Sequence, residues 1–258
     1  MTLTKLIDFT KGCKNNLSKI AIASSVLVVS SLAIAPVQAA TFDAATDFSA
    51  TNNPNGVWSY GDSNTLGSVF NLYTNKYTDV TGLDVWFGSD AATPTNPAIV
   101  QNPTASTVTN ICCQLLPGQL SLHPGPQGQY SIVRWTAPHS GLFSLATTFS
   151  GTDFVGPTST DVHVLSNGTS LFNDFVNGFG SPSAKNFSTT LSIAVGDTID
   201  FAVGFGNNGN FFSDNTGLSA ILTTISASEP STIPEPSSIL GILSLGVLGI
   251  GAALKRKP

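Results

Sequence analysis

Between Ala40 and Ser228 apolar and polar residues alternate with period two. Phe143, Leu145 and Phe149 alternate with Ser144, Ala146 and Thr148, and Val162 and Val164 with Asp161 and His163. Leu191, Ile193 and Val195 alternate with Ser192 and Ala194, and Ile199, Phe201, Val203 and Phe205 with Asp200, Ala202 and Gly204. Leu218, Ala220 and Leu222 form a last run. Successive side chains of a strand point to opposite faces, so each run puts one apolar face inward. Earlier segments, Val69–Tyr73, Leu83–Phe87, Val108–Ile111, Leu120–Leu122 and Tyr130–Trp135, read as shorter strands.

Turn residues punctuate the runs: Asn55-Gly56, Pro138-His139-Ser140-Gly141, Asn167-Gly168, Gly196-Asp197 and Gly206-Asn207-Asn208-Gly209-Asn210. Asn167-Gly168 between two apolar runs predicts a tight hairpin. The pattern predicts an all-β chain, a single β-sandwich or jelly roll of about ten strands over 40–225, with no amphipathic helix and no internal repeat. Residues 90–119, rich in Pro, Thr, Asn and Ser, read as a long excursion over one end.

The two ends follow a different pattern. Lysines precede an uncharged apolar run from Ile20 to Ile34, and small residues then lead to Ala39 and Ala40. This predicts a secretory signal over 1–39, cut by signal peptidase between Ala39 and Ala40, because about 15 apolar residues are short for a bilayer. At the other end a Ser/Pro/Thr linker, 226–236, contains Pro234-Glu235-Pro236. Residues 237–254 are apolar or small, and 255–258 read Lys-Arg-Lys-Pro. Eighteen helical residues span about 27 Å, enough for one membrane crossing. Lys255, Arg256 and Lys257 would stay in the cytoplasm, leaving the body outside the inner membrane.

The order Pro234-Glu235-Pro236, apolar helix, Lys255-Arg256-Lys257 resembles the PEP-CTERM sorting domain of Gram-negative bacteria. The resemblance covers about the last 25 residues. It implies recognition by an exosortase, a membrane-embedded cysteine transpeptidase, processing near Pro234–Pro236, and a link to exopolysaccharide and biofilm matrix.

The chain of 258 residues carries 41% hydrophobic and 10% charged residues, low for a cytosolic enzyme. Residues 41–228 hold three cationic side chains, Lys76, Arg134 and Lys185, against twelve Asp and no Glu, a net charge of −9. So acidic a body repels phosphate backbones and excludes nucleic acid as a partner.

After signal removal Cys112 and Cys113 are the remaining cysteines. Period-two geometry predicts adjacent thiols on opposite faces. A vicinal disulfide, permitted in an oxidising compartment, is the alternative. No C-x-x-C spacing is present, so zinc is not expected.

From Gln129 to Thr224 the chain also resembles the carbohydrate-binding-module type of jelly roll. Arg134-Trp135-Thr136-Ala137-Pro138, Asp161-Val162-His163-Val164, Gly196-Asp197-Thr198-Ile199-Asp200-Phe201 and Asp214-Asn215-Thr216-Gly217-Leu218 carry it. The resemblance implies a secreted sandwich that binds polysaccharide.

A sugar site needs flat aromatic faces and polar groups for hydroxyls. Trp58 and Tyr60, after an Asn-Pro-Asn-Gly turn, are the exposed aromatic candidates, and Asp161 and His163 on an outward strand face are the polar ones. Trp86 and Trp135 read as core. Neither a G-x-S-x-G elbow nor an H-E-x-x-H motif occurs, so a hydrolase would need a pair of aspartates. Asn207, Asn208, Asn210 and Asp214, with Asp153 and Asp197 nearby, are oxygen donors of the kind that hold a structural calcium ion. Ordinary turn chemistry explains the same residues equally well.

These features predict a non-enzymatic exported surface or matrix protein, with polysaccharide as a candidate ligand. A purely structural matrix protein and an Asp-pair glycan hydrolase are the alternatives.

Overall fold

The computed structural model describes residues 39–88 and 97–225. The expected signal segment, linker, membrane helix and basic tail lie outside these residues, except Ala39 and Ala40 at their start, as do Pro234, Glu235, Pro236, Lys255, Arg256 and Lys257. Among the described residues no helix is long and apolar enough to cross a membrane.

Sixteen strands are present among the described residues: β1 Thr41–Asp43, β2 Trp58–Ser63, β3 Asn71–Leu72, β4 Asn75–Thr78, β5 Asp84–Phe87, β6 Ala98–Gln101, β7 Val108–Thr109, β8 Gln114–Leu115, β9 Leu120–His123, β10 Tyr130–Thr136, β11 Gly141–Gly151, β12 Thr158–Ser166, β13 Thr169–Gly178, β14 Lys185–Ile193, β15 Thr198–Gly204 and β16 Thr216–Thr224. One 3-10 turn, Ser181–Ser183, is the sole helical element described. The count exceeds the ten expected because residues 41–123 break into strands of two to six residues, too short for alternation to stand out. The expected excursion is also corrected. Within it β6 runs between β5 and β9 in the sheet interior, with Ile99 fully buried.

The strands form two large antiparallel sheets and a small hairpin. One sheet has the order β14-β11-β16-β9-β6-β5-β4, with β1 also pairing β16; the other runs β13-β12-β15-β10-β2-β3; β7 and β8 pair alone. Both large sheets contribute to one hydrophobic core: Phe143, Leu145, Phe149 and Leu218 from the first, Trp58, Trp135, Val162 and Phe201 from the second. Two sheets facing one core make a β-sandwich.

Local chemistry sets the register. Asn167 and Gly168 both take positive φ, 48° and 77°, as the predicted two-residue hairpin between β12 and β13 requires. The core alternation is equally direct: Phe143, Leu145 and Phe149 are fully or almost fully buried in β11.

Ala40 is tied into the first sheet. Its N–H donates to Thr224 Oγ1 at 2.7 Å and its carbonyl accepts from Thr224 N–H at 2.9 Å.

Candidate functional site

The outer face of the β13-β12-β15-β10-β2-β3 sheet carries polar chemistry in three rows. In the first, Phe175 of β13 stands opposite Asp161 of β12, which stands opposite Gly204 of β15, with Tyr130 of β10 beside it. In the second, Asn173, His163, Ala202 and Ile132 follow across the strands. In the third, Leu165, Asp200 and Arg134 line up.

The loop between β2 and β3 covers part of this face. Leu66 and Phe70 pack against Ile132, Leu165 and Ala202. Arg134 lies 4.3 Å from the Phe70 ring centre and donates twice to Asp200, at 2.6 and 2.8 Å. With that carboxylate almost fully buried, the bidentate bond and the ring close the covered end.

The end left uncovered holds Asp161, His163, Tyr130, Asn173 and Phe175. Asp161 Oδ2 accepts from the Tyr130 hydroxyl at 3.0 Å and from His163 Nε2 at 2.8 Å; its Oδ1 accepts from Gly206 N–H at 2.7 Å. A carboxylate accepts only, so His163 donates through Nε2; in the neutral ring Nδ1 is then the acceptor. Burial raises the Asp161 carboxyl, but the bonds from His163, Gly206 and Tyr130 outweigh it and hold the group below the usual carboxylate range. Burial and the Asp161 charge push the Tyr130 phenol up to about 12, so it stays protonated as a donor.

Two glycines shape the cluster. A side chain at position 204 would overlap Asp161 and Tyr130, and Gly206, at φ 68°, would press one onto the Ser159 carbonyl. Both alternation and turn chemistry are visible in the sequence there, but the need for an empty position between two hydrogen-bonded partners is not.

The structure brings Asp161 and His163 together as expected and adds Tyr130, Asn173 and Phe175. Trp58 and Tyr60 are a correction. Both are fully buried, Trp58 donating its indole N–H to Asp47 Oδ2 at 3.1 Å, with its ring centre 6.4 Å from that of Phe201 at a tilt of 39°. They occupy inward positions of β2, with Trp58 paired to Trp135 and Tyr60 to Val133, so they serve the core. The Asn-Pro-Asn-Gly turn before them lines a polar cleft of about 630 Å³, which Trp86 also borders.

The expected calcium donors take hydrogen-bond partners of their own. Asn208 Oδ1 accepts from Asn210 N–H at 3.0 Å and Asn210 Oδ1 from Phe212 N–H at 3.0 Å, which is turn chemistry, and Asn207 is exposed. Asp214 Oδ1 accepts from Ser159 N–H and Oγ, each at 3.2 Å. Its Oδ2 is buried without a partner, and Asp214 is fully buried. Burial first, then the charges of Asp153 and Asp161, push Asp214 up to about 7.

The cysteines also depart from expectation. Their Sγ atoms lie 3.4 Å apart as free thiols. The turn between β7 and β8 leaves extended geometry: Asn110 Oδ1 accepts from Cys112 N–H at 3.1 Å and Cys113 N–H at 2.9 Å, so both side chains leave one side.

The C-terminal residues match the family model of the PEP-CTERM protein-sorting motif over 232–257. The tail is a sorting signal. It marks the chain for export to the cell envelope or surface by an exosortase. No curated protein matches the chain. Solved structures resemble the body distantly. A family 35 carbohydrate binding module from Clostridium thermocellum is 12% identical, covering 57% of this chain and 95% of its own, with a TM-score of 0.25. The CBM51-2 and INT domains of Clostridium perfringens ZmpB, in complex with GlcNAc, are 12% identical over 54% of this chain and 29% of theirs, at 0.34. Pika GITRL is 14% identical over 38% of this chain and 75% of its own, at 0.25.

Proposed function

We propose that the protein is a non-enzymatic, exosortase-sorted component of the cell surface or extracellular matrix that binds an uncharged polysaccharide. The site is the uncovered end of the outer sheet face. Its carrying observation is the row Phe175–Asp161–Gly204–Tyr130 with His163 beside it. Phe175 is 47% exposed and offers an apolar ring face to a pyranose. His163 Nδ1 and the Tyr130 oxygen accept sugar hydroxyls, Asn173 both donates and accepts, and Asp161 holds the first two in place. A body with net charge −9 disfavours anionic polymers.

Hydrolysis of a glycan needs one carboxylic acid kept protonated next to the substrate. Burial raises three aspartates: Asp153 and Asp214 are fully buried, and Asp62, half-buried, accepts from Asn71 Nδ2 at 3.0 Å with no second carboxyl bonded to it.

The test is co-sedimentation of the protein with insoluble neutral glucans, xylans and mannans and with exopolysaccharide of the producing cell. Retention that Phe175→Ala weakens while thermal stability is kept supports the site. A protein that passes through every matrix unretained is a purely structural matrix component, and reducing sugar released in the same assay makes it a hydrolase.

A further inference from the structure

A second cluster lies at the sandwich end, away from the sheet face. The β7–β8 turn docks on the segment after β11: Phe154 N–H donates to the Cys112 carbonyl at 2.9 Å, Gln114 N–H to the Thr152 carbonyl at 2.9 Å, and Cys113 bridges Asp153. This brings a carboxylate to the two thiols from far along the chain. One ligand atom from each of Cys112, Cys113 and Asp153 lies within 4.8 Å of the others.

The carboxylate has an open valence there. Asp153 is fully buried; its Oδ2 accepts from Asn215 N–H at 2.7 Å, and its Oδ1 has no hydrogen-bond partner. The three cations of the body are engaged elsewhere: Arg134 with Asp200, Lys185 with Asp174, and Lys76 with the Thr51 carbonyl. A buried, half-satisfied carboxylate beside two thiols is costly unless a proton or a metal cation joins it, and the thiols beside it favour the metal. The thiols border an open cavity of about 270 Å³, also lined by Tyr77, His123 and Asn215, so an ion and its water have a way in.

We propose that Cys112, Cys113 and Asp153 form a site for a thiophilic divalent cation of the zinc class. Two sulfurs and one carboxylate oxygen suit such an ion, with a cavity water in the fourth tetrahedral position. The outer groups are in place: Asn215 N–H holds Asp153, Asn215 Nδ2 lies 3.5 Å from Cys113 Sγ, and Asn110 fixes the turn. Binding converts both thiols to thiolates and releases two protons, so M²⁺, two S–H groups and the carboxylate give a complex of net charge −1. Because binding releases protons, uptake falls as pH falls. The absence of C-x-x-C spacing hides this site from sequence reading, because the third ligand comes from a different strand end.

The experiment uses the full chain in a Cys13→Ser background, reduced and freed of reductant without oxygen. Equilibrium dialysis against zinc chloride is expected to give one ion per chain, and cadmium a thiolate charge-transfer band. Cys112→Ser with Cys113→Ser abolishes both, and Asp153→Asn weakens zinc by at least about tenfold. Should Asp153→Asn fail to fold, protection of both thiols from maleimide by zinc in the parent protein decides the matter. Zinc bound equally by the double serine variant overturns the site, as does full maleimide reactivity at saturating zinc or closure of the pair to a disulfide in its presence.

Discussion

The Tyr130 hydroxyl reaches Asp161 Oδ2 at 3.0 Å across position 204, where glycine leaves the space open. A methyl there would overlap both partners. Gly204→Ala is therefore expected to destabilise by about 1–3 kcal/mol, as overpacking does, and to reduce polysaccharide retention together with stability. Thermal unfolding and co-sedimentation of the same variant check it; an alanine tolerated without loss of either would mean the bond is incidental.

Phe175 separates the site from the scaffold. Being half exposed, it is expected to unfold at the parent temperature when changed to alanine, yet to lose about tenfold in polysaccharide affinity. His163→Phe should keep the fold and lose the Nδ1 acceptor, with a loss of similar size. Isothermal titration with a soluble oligosaccharide measures both.

Trp58→Ala acts in the opposite sense. Its ring is fully buried against Phe201, so truncation is expected to cost about 3–5 kcal/mol and lower the unfolding midpoint by about 10 °C. Ligand affinity of the fraction that stays folded should not change.

Acid–base behaviour divides between Asp214 and His123. Asp214 titrates near 7 when folded against 3.8 when unfolded, so the folded chain holds the extra proton and stability falls as pH rises from 3.8 to 7. His123 is pushed by burial down to about 4 from 6.5 while its Nδ1–H donates to the Pro124 carbonyl, so stability rises between 4 and 6.5. The two oppose each other below 6.5. Asp214→Asn removes the falling component, and its unfolding midpoint is expected to climb from pH 4 to 6.5 and then level off, while the parent stays flatter and declines toward 7. Parallel curves for the two proteins would show that Asp214 does not carry the effect.

Much of the sandwich was legible because long strands obey period two. β11, β12, β15 and β16 bury the alternating residues that the pattern selects, and Asn167-Gly168 turns where its backbone requirement says it should. The first half was harder, since a strand as short as Asn71–Leu72 has no period to detect. Trp58 misled because aromatic residues near a turn look alike whether they point in or out; the pairing of β2 with β10 decides it. Asp161 and His163 could be seen on one face, but Tyr130 could not be joined to them without knowing that β10 and β12 flank β15. The Cys112-Cys113-Asp153 cluster rests on a docked turn, a contact that no local pattern encodes.

The central claim is that the sandwich leaves the cytoplasm and that the motif at 232–257 is consumed in sorting it. Intact mass spectrometry of the protein recovered from the producing cell's envelope and medium tests this most directly. The account predicts a chain beginning at Ala40 and ending near Pro234–Pro236. A full-length chain, from Met1 to Pro258, recovered from the cytoplasm would contradict it.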